Sequence, residues 1–325
     1  TGEHNTAIGR NALLTNITGN DNTAVGSGAL DVNVADYNVA MGVSAMGANT
    51  SGTRNVAIGN GAMTNNTTGN YNVAYGYSAL VASTTASNNV AVGHEALDAS
   101  DSANNTAVGK SALTALTTGT DNVAVGYNAG AAQTTGGANI AVGSSALVAC
   151  TTAANNQAVG VSALGSLTEG DGYNAALGHL ALYGATTAHS CVGIGKYAGY
   201  AVTTASNNIL IGKDSGRTGS PGGNITTGSN TIVLGDENIG ACHIEADWTV
   251  ASDERDKTDF TALDLGLDFV KALAPVTYKW DKRAKYIDKS DPDVDLDTVT
   301  HDGTHKEDWL DIGFKAQEVE ALEIA

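Results

Sequence analysis

One pentad, Asn-x-Ala-x-Gly, recurs down three-quarters of this chain, and its spacing limits what the chain can fold into. Copies begin at Asn5, Asn22, Asn38, Asn55, Asn72, Asn89, Asn105, Asn122, Asn139, Asn156 and Asn174, with degenerate copies at Cys191, Asn208 and Thr231. Successive starts lie 16, 17 or 18 residues apart until a final step of 23. Ala-Leu or Ala-Met follows the repeat glycine in most copies, as in Ala29-Leu30, Ala45-Met46, Ala79-Leu80 and Ala112-Leu113. A turn-rich stretch such as Thr67-Thr68-Gly69-Asn70 closes each unit. A unit of about 17 residues is too short for a helical hairpin or a propeller blade. It suits one coil of a β-solenoid, with two short strands and two turns.

The pentad alternates as a strand does. In Asn122-Val123-Ala124-Val125-Gly126, Ala124 and Gly126 share one face, and Val123 and Val125 share the other. The Ala/Gly face predicts a thin interior, where only small side chains fit between close backbones. The opposite face recurs at Val25, Val92, Val108, Val125 and Val142 as a long apolar stripe. Such a stripe does not stay open to water in a soluble protein, so it predicts burial against copies of itself in a parallel homotrimer. Stacked at one strand spacing per coil, the repeats give a rod of about 65 Å. The repeated Asn is expected to bond the backbone of neighbouring coils in a ladder. Gly69, Gly119 and Gly136 are expected to supply positive φ. The composition agrees, because with 40 Gly and 5% aromatic residues a conventional core would be poorly supplied.

After Gly240 the repeat stops and ordinary globular patterning begins. Leu263, Leu267, Val270 and Leu273 fall on one helical face, with Asp259 or Thr261 as cap and Pro275 as terminator. Val276 to Trp280 alternates as a half-buried strand. An acidic stretch over 281–308 precedes a second strand, Ile312-Gly313-Phe314, and a helix starting near Ala316. The predicted fold is therefore mainly β: a trimeric β-solenoid or β-roll over 1–240, a linker over 241–251 and a small α+β domain over 252–325. With no initiator Met and an abrupt end after Ile324-Ala325, the sequence reads as an excerpt of a longer chain.

Two resemblances follow from these residues. The Asn-x-Ala-x-Gly…Ala-Leu coil, over about 5–235, resembles the head repeats of YadA-type trimeric adhesins, which form trimeric β-rolls, and is similar to repeats of phage tail fibres. The ordered set Ser252-Asp253-Glu254-Arg255-Asp256-Lys257, then Pro275-Val276-x-Tyr278-x-Trp280, then Ile312-Gly313-Phe314-x-Ala316-Gln317-Glu318-Val319 resembles the endosialidase-type intramolecular chaperone of phage tailspikes and fibres. A similar domain occurs in the myelin regulatory factor, and Lys315 stands where the family usually has an aliphatic residue. This resemblance implies a serine/lysine dyad with Ser252 as nucleophile, Lys257 as base and Ala251–Ser252 as the scissile bond. It implies single-turnover autoproteolysis rather than metabolic turnover. By themselves the same residues also fit a helix cap at Ser252 and a solvated Lys257. The implied protein is a virion tail-fibre component, assembled in the host cytoplasm, that binds a host cell-surface receptor (glycan or protein) and other tail proteins. A bacterial trimeric adhesin head and a glycan-depolymerising tailspike are the alternatives.

Other chemistries find little support in the sequence. A net charge of −18 argues against nucleic acid, which needs a basic surface. No apolar run approaches the length of a membrane span, so no membrane insertion is expected. Cys150, Cys191 and Cys242 read as small buried hydrophobes rather than a disulfide framework. Asp291 to Asp297 lacks the Gly and closing Glu of a calcium loop, and His301 and His305 have no closing ligand, so neither metal nor cofactor is expected. Asp21, Asp101, Asp121 and Asp171 are scattered through turns, without the carboxylate pair of a glycosidase.

Overall fold

A computed structural model describes residues 2–170, 172–240, 272–279, 300, 302–306, 308 and 310–315. Two compact units divide the chain, Thr1–Asp236 and Glu237–Ala325. The first is a β-solenoid. Three-residue strands from β1 (Thr6–Ile8) and β2 (Thr23–Val25) through to β14 (Ile232–Leu234) stack in chain order as one 14-stranded parallel sheet. Register follows the repeat directly: Thr23 pairs with Val39, Ala24 with Ala40 and Val25 with Met41, and so on down the unit. Like therefore lies over like at every level.

The pentad alternates as expected, with one amendment. Asn122 and Ala124 point inward at 1% and 0% exposure, whereas Val123 and Val125 point outward at 36% and 37%. The inward partner of Ala124 is thus Asn122, and Gly126 turns the corner at φ 138°. A Cβ on this glycine would overlap the carbonyl carbon of Gly143, 2.6 Å away, so both backbone conformation and space exclude any other residue there.

The anticipated second strand of each coil is absent among the described residues. Its residues form turns instead, because two of them take left-handed backbone in almost every coil: Ser78 and Leu80 at φ 50° and 54°, Ser111 and Leu113 at φ 56° and 51°. Such a conformation costs a non-glycine residue about 1 kcal/mol. Stacking offsets it. Leu30 and Met46 each donate their amide to an alanine carbonyl of the next coil, at 3.1 and 2.9 Å, and their side chains fill the core at 0% exposure. Gly69, Gly119 and Gly136 correct a further expectation. None has positive φ; a Cβ on them would strike the carbonyl oxygens of Ala86, Gly136 and Ala153 respectively.

Leu or Met fills the space behind the alanine column in most coils, with Gly130, Gly199 and Gly216 as exceptions. Leucines of neighbouring coils take that space: a Cβ on Gly130 would lie 2.8 Å from Leu113 Cδ2, and one on Gly199 2.6 Å from both Leu182 Cδ2 and Leu210 Cδ1. Leu210 itself stands in the alanine position of the coil that carries Gly216.

The expected asparagine ladder is present. Backbone N–H of Asn105, Asn122 and Asn139 donates to Oδ1 of Asn89, Asn105 and Asn122 at 2.9, 3.0 and 3.0 Å. Most Nδ2 groups in turn donate to a carbonyl of the following turn, as Asn105 does to Gly119 at 3.0 Å, whereas Asn89 Nδ2 is buried without a hydrogen-bond partner. Oδ1 of Asn174 accepts from Cys191 N–H, and the ladder resumes from Asn208 to Thr231.

In the second unit, β15 (Val276–Tyr278) and β16 (Asp311–Gly313) pair antiparallel, each overlapping an expected strand. Leu263, Leu267 and Val270 of the expected helix, and the helix near Ala316, lie outside the described residues.

Replacing Asn105 by Ala removes the acceptor for the buried Asn122 amide and leaves a small void. The expected cost is about 3 kcal/mol, measurable as a lowered urea midpoint, while the same change at exposed Asn65, which lies outside the left-handed region, costs less than about 0.5 kcal/mol.

Candidate functional site

The outward sheet face is the most extensive surface feature of the solenoid. Its two positions per strand hold Val, Ile, Leu, Met, Ala or Tyr throughout, apart from Thr6, Thr23, Thr106 and Gln157. Flanking columns form two rims. The rim before each strand holds the residue preceding the pentad, and there the Arg54 guanidinium lies between the Tyr37 and Tyr71 rings, 5.3 and 5.6 Å from their centroids. On the rim after each strand, the residue following the repeat glycine, Tyr77 stacks on His94 at 5.2 Å. Farther along, Arg217 covers Tyr197 and Tyr200 and pairs with Asp214. Burial raises the Asp214 carboxyl, and Lys213 and Arg217 outweigh it, so the net shift is downward. Between Asn156 and Asn174, where the spacing lengthens to 18 residues, an open groove of about 560 Å³ is lined by Asn155, Tyr173, His189 and Ser190.

One shortened coil carries a device that spacing alone did not suggest. In a regular coil the amides of Thr67 and Thr68 share the carbonyl of Thr84, at 2.8 and 3.2 Å. The next coil in line has only 16 residues, from Asn89 to Asn105, and the Asp101 side chain replaces that carbonyl. One oxygen accepts from the amides of Thr84, Thr85 and Ala86 at 2.9, 3.0 and 3.2 Å; the other accepts the Thr84 hydroxyl at 2.6 Å. Burial opposes ionisation of Asp101, but these hydrogen bonds outweigh it and hold the carboxyl below its usual range. Asp36, in the other 16-residue step, sits in a different column: it accepts the Asn20 amide at 2.7 Å, the bond that Asn20, Asn70 and Ser87 make in regular coils.

The expected catalytic residues Ser252 and Lys257, and Ala251 of the expected cleavage site, lie outside the described residues, as do Asp291 to Asp297, His301, Asp171 and Cys242. Asp21, Asp101 and Asp121 are exposed and belong to different coils. Among the described residues no three His, Cys, Asp or Glu side chains gather as a metal site, and no helix is long and apolar enough to cross a membrane. Cys150 and Cys191 are buried free thiols. Burial pushes Cys150 up to about 11 and raises Cys191, which suppresses the reactive thiolate.

Residues 252–324 match the family model of the chaperone of endosialidase. The match begins at Ser252 and takes in both β15 and β16. No curated protein and no solved structure matches the chain.

Because the folded Asp101 carboxyl titrates below its unfolded value of about 3.9, its contribution is complete above that pH and lost as pH falls through the folded value. Asp101→Ala should lower stability by about 1–2 kcal/mol at pH 7. Thermal melts should show that difference narrowing as pH falls below the unfolded value of about 3.9; a constant gap would show that the carboxylate charge is irrelevant.

Proposed function

We propose that this chain is the shaft of a trimeric, phage tail-fibre-like protein, carrying a C-terminal intramolecular chaperone that cuts itself free at Ala251–Ser252. The observation that supports it most is a juxtaposition in sequence: a chaperone-of-endosialidase match directly follows a solenoid whose outward face is apolar along its length. The repeat's resemblance to trimeric adhesin heads and tail fibres agrees with the same architecture. Placement in a virion, contact with other tail proteins and binding of a host surface glycan or protein extend this reading. The shaft acids stand in separate coils, which favours passive binding over glycan hydrolysis.

The need for a folding guide follows from the repeat. Successive coils present nearly the same residues, so chains that zip from an arbitrary point fall into slipped registers. A C-terminal unit that trimerises first sets the start. Its later removal leaves a fibre whose persistence is governed by its unfolding barrier.

In the proposed cleavage, the Ser252 hydroxyl attacks the Ala251 carbonyl carbon while neutral Lys257 accepts its proton. The proton passes to the departing amide nitrogen, and an ester links Ala251 to Ser252 Oγ. Water then hydrolyses that ester, leaving an Ala251 carboxylate and a new N-terminus at Ser252. Lysine serves as base only when neutral, which demands burial or nearby positive charge. Assembly of three chains supplies both, so cleavage waits for the trimer.

Expression of a full-length version should yield a C-terminal fragment with Ser252 at its N-terminus by intact mass. Ser252→Ala and Lys257→Met should each leave the chain uncut while still assembled. A wild type that trimerises and stays whole would refute the cleavage.

A further inference from the structure

The rims of the outward face carry charge in a pattern that one chain by itself does not use. The rim before the strands holds two acids, Asp21 and Asp121, both exposed. Asp21 lies 3.4 Å from His4, and Asp121 accepts from Asn104 Nδ2 and the Thr120 hydroxyl, so both carboxylates are held at the edge. The rim after the strands holds four lysines and arginines: Arg10, Lys110, Lys196 and Lys213. Lys213 pairs with Asp214 and Asp236, and Lys196 lies 4.8 Å from the Tyr197 ring centroid. Arg10 and Lys110 have no ion-pair or ring partner among the described residues.

These two cations stand one coil before the two acids. Arg10 follows the first pentad and Asp21 precedes the second; Lys110 follows the seventh and Asp121 precedes the eighth. Within a chain, acid and base sit on opposite edges of the face, about 20 Å apart across six extended residues, far beyond ion-pair range. In a parallel ring of three chains with faces turned inward, the leading edge of each chain meets the trailing edge of the next. One coil of offset is about 4.8 Å along the axis, within the reach of a lysine or arginine side chain.

We infer that Asp21–Arg10 and Asp121–Lys110 are ion pairs between neighbouring chains, which lock the register of the assembled shaft. The inference rests on the trimeric reading above. Apolar contact between valine columns changes little when one chain slips by a coil, whereas both ion pairs, six coils apart with the same offset, break together.

The test uses the full chain with Lys110→Asp, Asp121→Lys and the swapped double variant, followed by thermal unfolding of the assembled species and its mass by sedimentation. Each single change should lower the midpoint by about 3 °C, the swap should lower it by clearly less than the sum of the two, and that coupling should shrink in about 1 M salt. Both substituted positions are exposed, so each variant should fold. A trimer in which the two losses simply add overturns the pairing while leaving the assembly intact; a monomeric wild type overturns the trimer and the pairing together.

Discussion

The buried carboxamide column holds the solenoid together. An asparagine at the head of most strands points inward, where an unsatisfied amide would cost about 1–3 kcal/mol, and it is satisfied only if the next coil lays its own amide over the Oδ1. That condition fixes the register and keeps neighbouring coils one strand spacing apart. The spacing in turn favours alanine-sized residues at the centre, with Leu210 and Val233 the exceptions in the last two strands, and glycine at the corner, where a Cβ would strike the coil beyond. The low bulk of the sequence follows from one repeated hydrogen bond.

Thinness has a consequence for the outside. A coil this narrow has few inward positions, and leucine or methionine occupies the roomiest of them. The remaining β-branched residues of the strand face outward, giving an apolar surface along the whole sheet. In the proposed trimer two sister chains supply the cover, since a surface that repeats at one strand spacing is matched by another with the same repeat. The C-terminal chaperone match belongs in the same picture, because the repeating apolar columns by themselves do not select a register.

The sequence carried the period, the inward alanines and the asparagine ladder, because each is a choice of residue type at fixed spacing. It did not carry the loss of the second strand. Ser78 and Leu80 have no local preference for left-handed backbone; stacking between coils imposes it. Nor did it separate two reasons for glycine. Gly69 is needed for close approach and Gly126 for conformation and approach together, and both reasons require the same missing Cβ. Asp101 was legible as an acid in a turn, yet its role becomes visible only when the short coil is seen to lack a carbonyl. The serine/lysine pair was readable as an ordered motif alone, since spacing along a chain does not place a hydroxyl against an amine.

Light scattering of the purified chain in dilute buffer tests the central claim most directly. The proposed trimer predicts a particle of three chains, three times the 32.7 kDa chain mass before any cleavage at Ala251–Ser252. A stable particle of a single chain mass, with that face open to solvent, would contradict it.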